Sequence, residues 1–268
     1  MNLFDLSGKV AVVIGATGVL GGAIARGLAG HGAEVAVLGR SEDRGRQRVQ
    51  EIEGAGGRGI FFSVDATDPD ALQGAHKRIG QELGAVDVLV NAAGGNQDQV
   101  TVTKERKVEQ ILPDEWRNCF DLNLVGGALL PCQEFGPTMV ERGRGSIVNI
   151  ASIAAHVPLS RVVAYSSAKA ALVSLTQFLA REWATQGVRV NSITPGFFPA
   201  EQNRRLLYEE DGTPTPRAQQ ILSHTPMERF GAPEELVGAT VFLASDTASG
   251  FVTGTDMRVD GGFLSTTI

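Results

Sequence analysis

The chain has 268 residues, 43% of them apolar and 20% charged, and carries a formal net charge of −6. This is the make-up of a globular chain with a sizeable core, and it excludes a disordered or fibrous one. The acidic balance, with no stripe of Lys or Arg, argues against nucleic acid as a partner, and no run approaches the roughly 20 apolar residues that cross a bilayer.

The first element is Lys9-Val10-Ala11-Val12-Val13-Ile14. It is a short apolar run rich in β-branched residues and reads as a buried strand. It feeds into Gly15-Ala16-Thr17-Gly18-Val19-Leu20-Gly21-Gly22 and then a helical pattern through Ala29. A glycine-rich turn between strand and helix lets backbone N–H groups approach a pyrophosphate at the positive end of the helix. The residues expected to cradle a dinucleotide there are Gly15, Thr17, Gly18, Val19, Leu20 and Gly21.

A second strand over 34–39 ends at Gly39, where dinucleotide sites commonly present an acid to the ribose diol. Here Arg40 and Ser41 follow instead. A guanidinium with a neighbouring hydroxyl suits a 2′-phosphate, so the expected cofactor is NADP(H) in preference to NAD(H).

Further strands over 59–64, 86–91, 145–151, 188–194 and 256–259 alternate with helical stretches near 41–54, 69–83, 113–141, 163–185 and 233–244. This alternation predicts an α/β fold: a doubly wound, mostly parallel sheet with helices on both faces (a Rossmann fold). No linker or repeat divides it, so 1–268 reads as a single domain that binds the dinucleotide and carries the chemistry. Two polar excursions, near 95–111 and 199–226, interrupt the alternation and read as substrate loops at the carboxyl ends of strands.

The chemistry resides in Tyr165-Ser166-Ser167-Ala168-Lys169, with Ser152 upstream. Side chains four apart share one helix face, so Tyr165 and Lys169 present a phenol and an ammonium to the same point. A phenol titrates near pH ~10, too high for ready proton exchange at neutrality. A neighbouring cation is expected to lower that value and make Tyr165 a usable acid or base. Ser152 would hold the oxygen of the carbonyl or alcohol. This is carbonyl–alcohol redox chemistry, provided that a hydride carrier sits alongside.

With these motifs in order, the chain resembles the short-chain dehydrogenase/reductase family over nearly its whole length. The resemblance rests on the turn at 15–21, Asp65 after the third strand and Asn91-Ala92-Ala93-Gly94 after the fourth. It continues through Asn123, Ser152, Tyr165 with Lys169, Pro195-Gly196, and the C-terminal Val259-Asp260-Gly261-Gly262. It implies that Tyr165 is the general acid–base, that Lys169 lowers its pKa and binds the nicotinamide ribose, and that Asn123 holds a water linking Lys169 to solvent. Asp65 with Ala66 would meet the adenine, Asn91, Ala92, Ala93 and Gly94 would pass close to the cofactor, and Pro195, Gly196, Phe197 and Phe198 would wall the nicotinamide. Departures from the compact branch of the family are Ile14, Val19 and, after the Pro-Gly pair, Ala200.

On the substrate side the expected contacts are Ser152, Asn96, Gln97, His156, Asn203 and Arg204. The segments Asn91–Asn96, Pro195–Phe198 and Glu201–Arg204 resemble those of members that interconvert D-fructuronate and D-mannonate, which implies a sugar-acid substrate. A 3-oxoacyl carrier-protein reductase is the alternative, and a non-catalytic dinucleotide-binding protein the alternative of another class. The two cysteines and His31, His76, His156 and His224 show no metal-ligand spacing. The resemblance further implies a homotetramer. The N-terminus lacks a basic segment followed by an apolar run, which points to the cytoplasm.

Overall fold

The computed structural model describes residues 2–199 and 207–266. Seven parallel strands form one sheet: β1 (Val10–Ile14), β2 (Glu34–Gly39), β3 (Arg58–Ser63), β4 (Val86–Asn91), β5 (Gly145–Ile150), β6 (Val188–Pro195) and β7 (Asp256–Val259). They lie in the order β3-β2-β1-β4-β5-β6-β7. The chain leaves β1 toward one edge and returns at β4 to build the other, so the crevice outside the ends of β1 and β4 is a topological switch point.

The alternation of side chains along β1 explains the two layers of core. Ala11 and Val13 pack with Ile24 and Leu28 of α1 (Val19–Gly30) on one face. Val10, Val12 and Ile14 pack on the other face, in a cluster with Leu72 and Ile79 of α3 (Pro69–Glu82) and with Phe135 and Met139. On the same face as α1, α2 (Glu42–Gly54) packs on β3. Each fully buried Leu, Ile or Phe contributes about 1.5–3 kcal/mol relative to exposure.

The segment expected as one helix over 113–141 has three parts. An α-helical turn pair, α4 (Pro113–Phe120), leads into a π-helical stretch, Asp121–Leu129, and then α5 (Leu130–Glu141). At its end the Leu130 N–H reaches back to the Val125 carbonyl, five residues away. After α6 (Val163–Trp183) and β6, the second excursion corrects the sequence expectation: it holds a helix, α7 (Pro216–His224), rather than loop alone. Thr215 caps it by accepting the Ala218 N–H, and Pro216 occupies the first turn, where its missing N–H costs nothing. A further helix, α8 (Val237–Ala244), closes the first face. Among the described residues, no helix is long and apolar enough to cross a membrane.

Candidate active site

The turn after β1 is built for close approach. Gly15 has φ +80°, and a Cβ there would sit 2.7 Å from the Ala93 nitrogen and 2.8 Å from the Ala92 carbonyl carbon. A Cβ on Gly21 would meet the Gly15 oxygen at 2.4 Å. The loops leaving β1 and β4 thus touch backbone to backbone. Gly18 caps α1 without a side-chain hydrogen bond, and no acid occupies the first turn. That leaves the amides at Val19, Leu20 and Gly21 beside a positive helix end, a cradle that fits a pyrophosphate. Leu20 anchors the turn by packing on the core.

At the end of β2 a Cβ on Gly39 would lie 2.5 Å from the Thr17 hydroxyl, so any acidic side chain there must displace Thr17. Arg40 is 71% exposed, with its guanidinium 3.9 Å from Asp65 Oδ2. Ser41 stands at the N-cap of α2 but makes no capping bond. Asp65 Oδ1 accepts from the Thr67 N–H (3.0 Å) and hydroxyl (2.7 Å), and these bonds hold its pKa below the usual carboxylate value. One carboxylate oxygen therefore shapes the turn while the other faces the crevice rim. Ala66 and Thr67 abut Gly126 of the π stretch.

Asn91 ends β4 fully buried, and its Nδ2 donates to Asn149 Oδ1 at 2.8 Å; Asn149 donates in turn to Thr176 on α6 at 2.8 Å. The side chain of Asn91 thus ties β4 to β5 and α6, and only the backbone beyond it reaches the crevice. Gly94 follows with φ +141°; a Cβ there would be 2.6 Å from Asn123 Oδ1 and 3.3 Å from Lys169 Nζ. Asn123 Oδ1 accepts the Gly95 N–H at 2.8 Å, while Nδ2 donates to the Gly95 carbonyl at 3.0 Å and the Cys119 carbonyl at 2.9 Å. The side-chain amide of Asn123 is therefore committed to the loop, and it could share in a water relay only through its backbone. π-helical turns are frequent at functional sites, and here one aims Asn123 at Gly95.

Ser152, just past β5, caps a short turn by accepting the Ala154 N–H at 3.1 Å. Its hydroxyl also faces the Tyr165 phenol and favours the ionised form. The Tyr165 ring packs on a small cluster of Val100, Cys119 and Ala164, which pins the first excursion to α4 and α6. Lys169 is only 3% exposed; its Nζ donates to the Ile150 carbonyl at 2.8 Å and lies 5.9 Å from the centre of the Tyr165 ring. Ser152, Tyr165 and Lys169 converge as expected, but the electrostatics differ. Burial pushes the Tyr165 phenol up, and the largest opposing influence is Ser152 rather than Lys169. Burial also brings Lys169 down to about 8. Helical spacing alone puts a full ammonium beside the phenol; in the folded protein the same low-dielectric pocket disfavours charge on both groups.

On the substrate side the structure redistributes the expected contacts. His156 Nε2 sits 3.1 Å from both Thr194 Oγ1 and Asp256 Oδ2, so it fastens its loop to β6 and β7. Asn96 donates to the Thr101 hydroxyl at 2.6 Å, whereas Gln97 Oε1 is buried with no partner. Asn203, Arg204 and Ala200 lie outside the described residues. Gly196 donates its N–H to the Val259 carbonyl at 3.0 Å, and its Cα side is closed by Asp260. The Phe198 ring turns into the core against Gly231, leaving only its backbone toward the crevice. Phe197, from the turn expected to wall the nicotinamide, lines a cavity with Ser160, Arg217, Gln220, His224 and Phe263.

Comparison with known proteins agrees with this arrangement. The family model of enoyl-(acyl carrier protein) reductase matches residues 15–264. The uncharacterized oxidoreductase UxuB of Bacillus subtilis is 41% identical, over 97% of this chain and 96% of its own. A crystal structure with bound NAD from Haemophilus influenza, described as a "putative D-Mannonate oxidoreductase", has 35% identity and a TM-score of 0.92, covering 98% of this chain and 97% of that one. The gluconate 5-dehydrogenase of Burkholderia cenocepacia, solved with NADP and tartrate, has 30% identity and a TM-score of 0.88, covering 99% of each chain. The fold, the phenol–serine–lysine cluster and these matches define an NAD(P)-dependent oxidoreductase that acts on CH–OH groups. More particularly, the chain belongs to the short-chain dehydrogenase/reductase family.

Proposed function

We propose that this oxidoreductase interconverts a sugar acid and its keto form, D-mannonate and D-fructuronate being the pair, with NADP(H) preferred over NAD(H). The observation that carries the reading is the convergence of Ser152, Tyr165 and Lys169 beside Gly94, at the switch point where the glycine turn can hold a dinucleotide. The sugar-acid relatives above support the substrate class. A dinucleotide held there would supply the hydride in reduction and accept it in oxidation. Ser152 holds the substrate oxygen. Tyr165 gives it a proton in reduction and takes one in oxidation. Lys169, anchored on the Ile150 carbonyl, would meet the ribose of a bound dinucleotide, and Asn123 holds the Gly95 backbone in the loop that would border it.

Arg40 and the Ser41 hydroxyl would take the 2′-phosphate, with Asp65 and Ala66 at the adenine. Gly15, Thr17, Gly18, Val19, Leu20 and Gly21 would cradle the pyrophosphate, and Ala92, Ala93, Pro195, Gly196 and the Phe198 backbone would border the nicotinamide. Gln97, with its orphaned amide oxygen, is the group in the first excursion best placed to accept a substrate hydroxyl. We infer a homotetramer working in the cytoplasm, on the family resemblance. The purified protein should oxidise D-mannonate with NADP+, followed by absorbance of the reduced nicotinamide. Reduction of acetoacetyl thioesters with no turnover of either sugar acid would favour the carrier-protein reductase.

A further inference from the structure

The cavity beside Phe197 has a volume of about 310 Å³, enough for a six-carbon acid. Three of its walls continue from the reacting groups. Phe197 is the residue after the Pro195-Gly196 turn, Ser160 lies in the loop joining Ser152 to the helix of Tyr165, and Phe263 follows the Asp260 on which Gly196 packs. The Phe263 ring meets Phe197 edge-on at 5.4 Å and His224 at 4.5 Å, so this side of the cavity is a rigid aromatic wall.

The fourth wall is the first turn of α7, and it carries Arg217. That side chain is half-buried, yet among the described residues no carboxylate lies within ion-pair distance of it. The charged group that acts on it is another cation, Arg161, and burial together with this repulsion disfavours its charge. Arg161 is itself held with φ +78°, a backbone conformation uncommon outside glycine, in the loop between Ser152 and Tyr165. No acid stands in the first turn of α7 either. A half-buried guanidinium facing a second one, at a positive helix end, lacks a counter-charge among the described residues, and the cavity it lines is where one can enter.

We propose that Arg217 is the specificity-determining residue of this site, its guanidinium taking the substrate carboxylate with Gln220 and Ser160 as neutral partners. The inference rests on the sugar-acid reading above and deepens it. In a 5-keto aldonate the carboxylate is four carbon–carbon bonds from the reacting carbon, about 5 Å, so its partner must stand apart from the groups that act on the carbonyl, in a cavity that shares loops with them. An arginine presents two parallel N–H donors to such a group, and a lysine a single point charge.

The test compares D-mannonate with D-mannitol, the same carbon chain without the carboxylate, on the full chain with NADP+. The ratio of kcat/KM for acid over polyol should fall about 30-fold in Arg217→Ala, mostly through KM for the acid, and less steeply in Arg217→Lys. If the wild type oxidises mannonate and the ratio holds in both variants, the Arg217 proposal is overturned while the sugar-acid reading stands. Parallel loss on acid and polyol would also overturn it, because that is the signature of a structural role. A wild type that oxidises mannitol and ignores mannonate removes both.

Discussion

Asn123 and Gly95 hold each other in both directions, the amide oxygen accepting the glycine N–H at 2.8 Å and the amide nitrogen donating to its carbonyl at 3.0 Å. Replacing Asn123 by Leu, of similar volume, strips partners from Gly95 and from the Cys119 carbonyl together. Three groups lose a partner, two of them on the half-buried Gly95; at roughly 1–3 kcal/mol for each fully buried one, the variant should lose about 3 kcal/mol or more in urea unfolding. A loss under about 1 kcal/mol would mean that the loop after β4 is held by something else.

Tyr165→Phe removes one hydroxyl and keeps the ring in its cluster with Val100 and Cys119. Turnover should fall by about 10²–10⁴-fold, the usual contribution of a positioned acid–base group. Cofactor affinity, measured by fluorescence titration, should stay within a few-fold of wild type. Because burial holds the phenol up, the oxidation rate of the wild type should climb toward alkaline pH. Activity in the Phe variant near the wild-type level would sink the acid–base assignment.

Lys169 should make stability depend on pH, because burial lowers its pKa from the ordinary 10.5 to about 8 in the fold. Between those values the unfolded chain binds the proton more readily, so this group makes folding more favourable as pH rises from about 8 toward 10.5. Below that window the buried ammonium is a cost of order 3 kcal/mol, at ~1.4 kcal/mol for each tenfold change in proton affinity. Relative to wild type, Lys169→Met should therefore show its largest advantage in Tm at about pH 7 and a shrinking one by about pH 9.5. A gap constant over that range would contradict the burial argument.

Arg40→Asp tests the cofactor reading. Reversing the charge at the crevice rim puts a carboxylate where a 2′-phosphate would lie, next to Asp65 at 3.9 Å from the guanidinium it replaces. The kcat/KM ratio of NADPH to NADH should move at least about tenfold toward NADH, on the scale of one charge-assisted hydrogen bond. A wild type already favouring NADH tenfold would refute the preference itself.

Much of this fold is legible in the sequence, for physical reasons that differ by element. The strands 34–39 and 86–91 coincide with the observed β2 and β4, because buried parallel strands are marked by short apolar runs between turns, and 256–259 coincides with β7, an edge strand of alternating polar and apolar residues. Tyr165 and Lys169 meet Ser152 because helical spacing is local and the serine sits at a strand end. The helix at Pro216–His224 is hidden by its polarity, although Thr215-Pro216 is a capping signal and Ala218 and Ile221 are its buried face. The π stretch carries no local signal at all, since Asn123 is turned by its bonds to Gly95, a tertiary contact. Spacing misjudges the phenol pKa because it reveals a neighbour but not the depth at which both groups lie. Phe198 and His156 escape a sequence reading for a related reason: adjacency to a motif does not say which way a side chain faces.

The winding of Asp121–Leu129 also governs what the helix can tolerate by way of length. An α-helix advances about 100° per residue, so deleting any one of these nine would bring the remainder back into ordinary phase. The flanking helices would keep their phase, so Cys119 and Trp116 would stay in the cluster beneath Tyr165, and it is the residues inside the stretch, Asn123 among them, whose facing would change. The stretch thus behaves as a gear tooth. A chain one residue shorter there could still coil from end to end, but its Asn123 amide would no longer engage the loop after β4.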